Sequence, residues 1–385
     1  MRFDAVHPPL DYLVARGVEH LGPADWARKL PDVLWGCATV GVLGMLVSRR
    51  AGRLAGLLAA LLLAVAPFHV RYSQEFRPYA LGLLLVCLSL LCLDRYLEKP
   101  AAARLLALYL SCLATAYALY LSAVVLTIGA LALLVEDVIG GDPLRRRTAR
   151  RFLSMSPLFA AALFAAYLPW WPVVREAARR PPMAAAPHTL ERAGRVLSFF
   201  LFAPDGGHPL GATGLFYLAL VALGVAVAVR RNGSRFFVAW TVGGMAAIEI
   251  LGQLHPHYDV ARRYLPAGLA IPALAAIGIS WIAGRPRLRP ISALVVLAVV
   301  VLDARSLAAY FKDGRAEWRP LAEALRTRSI SEPVFTENQY AQLCTAFYAV
   351  GPLWLFDGGK SGRQIPNLDG EIVRLTWSWQ PGTTA

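Results

Sequence analysis

Ser73-Gln74-Glu75-Phe76-Arg77-Pro78-Tyr79 sits between two long apolar runs and brings a carboxylate, a guanidinium and two aromatic rings together within one short segment. A positioned carboxylate can take a proton from a hydroxyl group. A guanidinium grips phosphate oxygens in bidentate fashion and stays charged at any relevant pH. Held at the edge of a membrane, the set points to chemistry on a lipid-borne anionic substrate. Glu75 is the candidate acid-base residue, and Arg71 and Arg77 are candidates for phosphate contact. The competing reading pairs Glu75 with Arg71 or Arg77 as a loop anchor, and it treats Tyr72, Phe76 and Tyr79 as ordinary interfacial aromatics.

A second segment repeats the pattern. Arg262-Arg263-Tyr264-Leu265-Pro266 opens a late apolar run as Arg77-Pro78-Tyr79 opens an early one. Proline fits the first turn of a helix, where its missing N–H costs nothing. The N-terminal end of such a helix carries unsatisfied N–H groups and partial positive charge, a natural seat for phosphate. Two such ends facing one cavity would clamp a phosphate. His7-Pro8-Pro9-Leu10 reads as an extended turn, because each proline pushes its predecessor away from helix; His7 either approaches a substrate head group or simply belongs to a rigid loop. His255-Pro256-His257-Tyr258-Asp259 lacks a third ligand set by spacing, so neither a metal nor another cofactor is called for. Asp303 reads as an interfacial polar residue.

These segments need a membrane around them. The chain has 385 residues, of which 57% are hydrophobic and 17% charged, and its mean hydropathy is +0.49. One soluble core could not hide that much apolar surface. The five cysteines at 37, 87, 92, 112 and 344 are scattered and read as packing residues, with no disulfide framework. The expected fold is mainly α, a polytopic transmembrane bundle of about ten spans over 31–47, 54–70, 79–97, 104–118, 120–138, 152–173, 212–229, 235–253, 264–283 and 290–307. Net charge is +14, concentrated in clusters such as Arg49/Arg50/Arg53, Arg95/Lys99/Arg104, Arg145 to Arg151, Arg230/Arg231/Arg235 and Arg285/Arg287/Arg289.

Every second loop is basic, as the positive-inside rule requires, so the charge is a topology signal rather than a nucleic-acid footprint. The same parity splits the apolar stretch 104–138 into two helices meeting near Tyr117 to Tyr120. It also places the N-terminus, 71–78, 174–211, 254–263 and the tail on the extracytoplasmic face of a cell membrane. The span middles read as nearly free of charge, with Glu249 close to an end. Polar residues gathered in outer loops favour surface chemistry over a secondary transporter, which would concentrate them near the midplane. No Asp-x-Asp pair, Gly-x-x-x-x-Gly-Lys loop or Gly-x-Ser-x-Gly elbow is present.

His7-Pro8-Pro9-Leu10-Asp11-Tyr12 followed by the segment from Ala66 to Leu81 resembles the polytopic GT-C glycosyltransferases, closest to bacterial family 39, with the protein mannosyltransferases and lipid A aminoarabinose transferases as relations. Arg262 to Pro266 and Glu317-Trp318-Arg319-Pro320 are similar as well. The resemblance implies a hexosyl or pentosyl transferase that moves a sugar, normally with inversion, from a polyprenyl-phosphate donor to a lipid, glycan or protein acceptor on the outer face. It implies contact with membrane lipid and none with nucleic acid. On this reading Glu75 and Asp4 are the catalytic candidates, and His7, Arg71, Tyr72, Arg77, Tyr79, Arg262, Arg263 and Tyr264 bind substrate. Such enzymes carry an acidic pair in a first outer loop. That stretch is not in this sequence, Asp4 being too close to His7 to match it, and with the parity this leads to the expectation that the family's first span lies upstream of Met1. A non-catalytic membrane subunit is the alternative this raises.

The expected organisation is a transmembrane domain over 1–307 and a small extracytoplasmic α/β module over 308–385. In the module, helices near 317–328 and 338–349 alternate with strand-like 333–336, 353–356 and 372–375. An apolar helix near 190–202 would lie along the interface.

Overall fold

The computed structural model describes residues 8–18, 25–75, 77–178, 212–254 and 261–313, together with Val196, Phe199, Phe200, Phe335, Thr336, Trp354 and Leu355. The chain divides into two compact units, Met1–Tyr310 and Phe311–Ala385. In the first, α1 (Pro9–Val18) precedes α2 (Asp25–Ala51), α3 (Arg53–Val65), the short α4 (Pro67–Tyr72) and α5 (Tyr79–Glu98). Then come α6 (Ala102–Ala118), α7 (Tyr120–Gly140), α8 (Pro143–Tyr167) and α9 (Trp171–Ala178). The series closes with α10 (Ala212–Ala228), α11 (Arg235–Leu254), the turn-length α12 (Leu265–Gly268), α13 (Ile271–Ala283) and α14 (Arg289–Asp313). Among the described residues seven helices are long and apolar enough to cross a membrane, and Arg53–Val65, Ala102–Ala118 and Thr213–Ala228 are shorter apolar helices.

The helix breaks have local causes. Pro67 occupies the first turn of α4 and holds Ala66 in extended backbone, so the run expected to be one span over 54–70 is two helices. Leu119, extended at φ −156° and ψ 120°, divides α6 from α7 where the charge parity requires a break. Asp142 caps α8 by accepting the Arg145 N–H at 2.9 Å, with Pro143 in the first turn. Helix thus begins at 143 rather than 152, and the five arginines lie on its first turns instead of in a loop.

Ion pairs join the C-terminal ends of α2, α5 and α7 to the start of α8, and Glu75 precedes the opposite, N-terminal end of α5, so the bundle has one end carrying Glu75 and another carrying Arg49, Arg50 and Arg145. Its core includes Leu43, Leu46, Leu83, Leu90, Phe236 and Trp240, all buried. At the α10–α13 crossing a Cβ on Gly224 would lie 1.9 Å from the Leu274 carbonyl oxygen, so only glycine lets these backbones meet.

The arginine-rich end is tied together by ions, contrary to the reading of these residues as loop charges alone. Arg50 donates two hydrogen bonds to Asp137, at 2.7 and 2.9 Å, and its Nε lies 2.8 Å from Asp94. Arg145 donates to Asp94 at 2.5 Å and to Asp137 at 3.0 Å, while Arg49 joins Asp94 to Glu98. Four helices, α2, α5, α7 and α8, meet in this buried network. Beside it Glu136 accepts N–H bonds from Gly233, Arg235 and Phe236 at 2.8, 2.9 and 3.3 Å, capping α11.

In the second unit, β1 (Phe335–Thr336) and β2 (Trp354–Leu355) pair in parallel, within two of the strand-like segments read from the sequence. The expected helices near 317–328 and 338–349 and the strand at 372–375 lie outside the described residues.

Candidate functional site

The geometry of the 71–79 segment begins with α4. Its last turn presents Arg71 and Tyr72, and Ser73 closes it by donating to the His69 carbonyl at 2.7 Å. His69 is buried, with Nε2 3.2 Å from the Gly36 carbonyl oxygen of α2 and Nδ1 without a hydrogen-bond partner. A Cβ on Gly36 would come within 2.2 Å of Ser73 Oγ. Glycine at 36 is what allows α4 to seat on α2.

Glu75 lies 3.6 Å from Arg71 Nε, one helical turn apart. The loop-anchor reading of Glu75 therefore holds in this state, and it does not exclude chemistry, because an exchangeable, partly exposed pair contributes little to stability. Arg77 donates its backbone N–H to the Glu75 carbonyl at 2.7 Å, which turns the chain into α5. Pro78 stands at the cap position of α5, one residue before the first-turn place expected for it.

Aromatic contacts bring the second segment to the first. Tyr72 packs edge-on against Tyr79 at 5.2 Å and against Phe199 at 5.7 Å. Phe200 sits on Phe68 at 5.2 Å and is also the ring that a Cβ on Gly268 would strike. Residues 261–268 thus lie beside α4. Burial, reinforced by the Glu75 carboxylate, pushes the Tyr72 phenol above its ordinary value, against the opposing pull of Arg71 and Arg262. Arg71, Arg262, Glu75 and Tyr79 are thus within electrostatic reach of one hydroxyl. Tyr264 donates to Glu249, so Glu249 orients the segment rather than merely ending a span. The backbone there is a 3₁₀ turn over Ala261–Tyr264 followed by one helical turn, not the regular helix end expected from the repeated pattern. From α14, the Tyr310 ring lies 5.6 Å from the Arg71 guanidinium. Asp303, expected at an interface, is buried and accepts from the Tyr217 hydroxyl at 2.5 Å.

Asp32, on the same helix as Gly36 and one turn before it, was not marked by any sequence motif. It is 1% exposed, its Oδ1 has no hydrogen-bond partner, and the carboxylates of Asp11 and Glu75 are within electrostatic reach. A buried carboxyl oxygen left unpaired costs roughly 1–3 kcal/mol, a cost that structure alone gives no reason to keep. Of the other sequence-stated candidates, Asp4, His7, Phe76 and the 255–260 motif lie outside the described residues.

Asp11, on α1, is held up to about 6 from 3.8 by burial. A carboxyl that binds its proton more tightly when folded stabilises the fold below about pH 4 and loses that contribution as pH rises through about 6. Thermal unfolding of the detergent-solubilised chain should therefore show a loss of stability between these values that is smaller in Asp11→Asn.

Residues 6–170 match the family model described as dolichyl-phosphate-mannose-protein mannosyltransferase. No curated protein matches the chain in sequence. The structure is similar to apo ArnT from Cupriavidus metallidurans, with a TM-score of 0.61 and 15% identity over 92% of this chain and 76% of that one. It is similar to the same protein bound to undecaprenyl phosphate, with a TM-score of 0.59 and 14% identity over the same shares. A third likeness is to the Archaeoglobus fulgidus oligosaccharyltransferase tethered with an acceptor peptide, with a TM-score of 0.50 and 10% identity over 97% of this chain and 53% of that one. The fold is that of the GT-C membrane glycosyltransferases, shared with ArnT.

Proposed function

We propose that the chain is a membrane glycosyltransferase that takes a hexosyl or pentosyl group from a polyprenyl-phosphate donor and passes it to a lipid, glycan or protein acceptor at the extracytoplasmic face. The observation that carries this is the Glu75–Arg71 pair at one end of a GT-C bundle, with Arg262 from a distant segment in electrostatic reach of the adjoining Tyr72 and the buried Asp32 in reach of Glu75. The ArnT complex with undecaprenyl phosphate supports a lipid-linked donor in this fold, and the oligosaccharyltransferase with its acceptor peptide supports a protein among the acceptors.

In this reading Glu75 takes the proton of the acceptor hydroxyl as its oxygen attacks the anomeric carbon. The bond from that carbon to the phosphate oxygen breaks, and the lipid phosphate leaves with the electron pair. Arg71, Arg77, Arg262 and Arg263 hold the departing charge, which is where fixed cations lower a barrier most. Tyr72, Tyr79 and Tyr264 line the sugar, His7 contributes to substrate binding, and Asp4 is the second candidate for the acid-base role. The transmembrane domain runs over 1–307 and carries the reaction, while the tail over 308–385 forms a small outer module.

The purified chain, given a panel of radiolabelled polyprenyl-phosphate sugars with membrane extract as acceptor, is expected to move label from carrier to extract with at least one donor. Donor binding with no transfer from any of them would leave a non-catalytic subunit as the better reading.

A further inference from the structure

The arginines of α8 fall into two sets. Arg145 faces inward and is neutralised by Asp94 and Asp137. Arg146, Arg147, Arg150 and Arg151 are all exposed, and among the described residues no carboxylate lies within ion-pair distance of them. The nearest acid in sequence, Asp142, is engaged in capping the Arg145 N–H. Arg147, Arg150 and Arg151 stand at i, i+3 and i+4, so they share a helix face, and Arg146 adjoins Arg150 one turn away. Like charges on adjacent turns repel, and here no acid offsets them.

The next turns of the same helix change character. Met155, Leu158 and Phe164 are exposed apolar side chains on a helix long enough to cross a membrane. One turn separates Arg151 from Met155, so the guanidinium groups stand where the headgroups end and the acyl chains begin. Tyr96 packs on Phe152 at 5.7 Å, which sets the exposed Arg95 beside the same band.

We propose that this face of α8 is a binding surface for anionic phospholipid. The phosphodiester is held by Arg146, Arg147, Arg150 and Arg151, and the acyl chains lie along Met155 and Leu158, which continue the face of Arg147 and Arg151. Charge complementarity selects the anion, and continuity with the apolar face selects a lipid over a free ion. The surface is at the end of the bundle opposite Glu75, so it is separate from the proposed donor site and does not depend on it.

The test uses the full chain in detergent, titrated with phosphatidylglycerol, with phosphatidylcholine and with inorganic phosphate, reading retained lipid by native mass spectrometry and the melting temperature. Each arginine near an anionic surface contributes about fivefold in affinity, so a variant with all four changed to glutamine should bind phosphatidylglycerol about six-hundredfold more weakly. Arg287→Gln with Arg289→Gln, exposed at the same end of the bundle, should leave binding unchanged. Equal retention by wild type and the four-glutamine variant, or equal retention of the two lipids, would overturn the proposal. So would protection by inorganic phosphate as strong as by the lipid, which would indicate a free-anion site. Should the four-glutamine variant not fold, salt decides the matter on wild type alone: retention must fall as ionic strength rises, and retention indifferent to salt rejects the surface.

Discussion

Asp94→Ala should unfold the arginine-rich end of the bundle at a cost of about 3–5 kcal/mol, the usual penalty for removing one partner from a buried ion pair. Asp94 is 1% exposed and is the point where three guanidinium groups meet, from Arg49, Arg50 and Arg145. Its loss leaves Arg145 with Asp137 alone, and Asp137 already receives two bonds from Arg50. Two cations would then share one carboxylate in a place that water reaches poorly. Because the cost arises from uncompensated charge, Asp94→Ala combined with Arg145→Ala should be less destabilising than the two separate losses added together. Thermal or denaturant unfolding of the four variants of that cycle checks this. Additive losses would mean that the network contributes nothing beyond its individual contacts.

The same network shows where sequence reading reaches its limit. Hydrophobic runs and the alternation of basic loops are local signals, and they locate the helices and the break at Leu119 well. The arginines were visible for the same reason. Their partners were not: Arg49 and Asp94 are 45 positions apart, Arg145 and Asp94 are 51, and Arg50 and Asp137 are 87. An acid near the end of an apolar run looks like a boundary residue until the fold shows what faces it. Asp32, Asp94, Glu136 and Asp137 all lie within three residues of an expected span end, so the span middles read as nearly free of charge while the partners of these acids went unseen.

At the candidate site the 71–79 block announced itself because acid, base and rings are adjacent in the chain. The approach of Arg262 to Tyr72 was legible only as a repeated pattern, since nothing local fixes which helix ends share a cavity. Asp32 carried one usable signal, a lone carboxylate just inside an apolar run after Pro31. A single charge in such a run is expensive, and its presence is itself a hint of function.

That expense makes Asp32 the most discriminating residue for the proposed reaction when it is set beside Glu75. Glu75→Gln keeps the shape and removes the proton acceptor, so kcat for sugar transfer should fall by about 10²–10⁴ while donor binding is retained, the range a positioned general base supplies. Asp32→Asn separates chemistry from architecture in a different way. A structural carboxylate held in a satisfied network would destabilise the chain when neutralised. One with an oxygen left unpaired, buried within electrostatic reach of two other carboxylates, should leave stability unchanged or raise it. Transfer lost by about tenfold or more in an Asp32→Asn chain that melts no lower than wild type would assign this carboxyl to the reaction rather than to the fold. Full transfer in both variants would remove these two carboxylates from the mechanism and move the proton acceptor to another group, of which Asp4 is the remaining candidate read from the sequence.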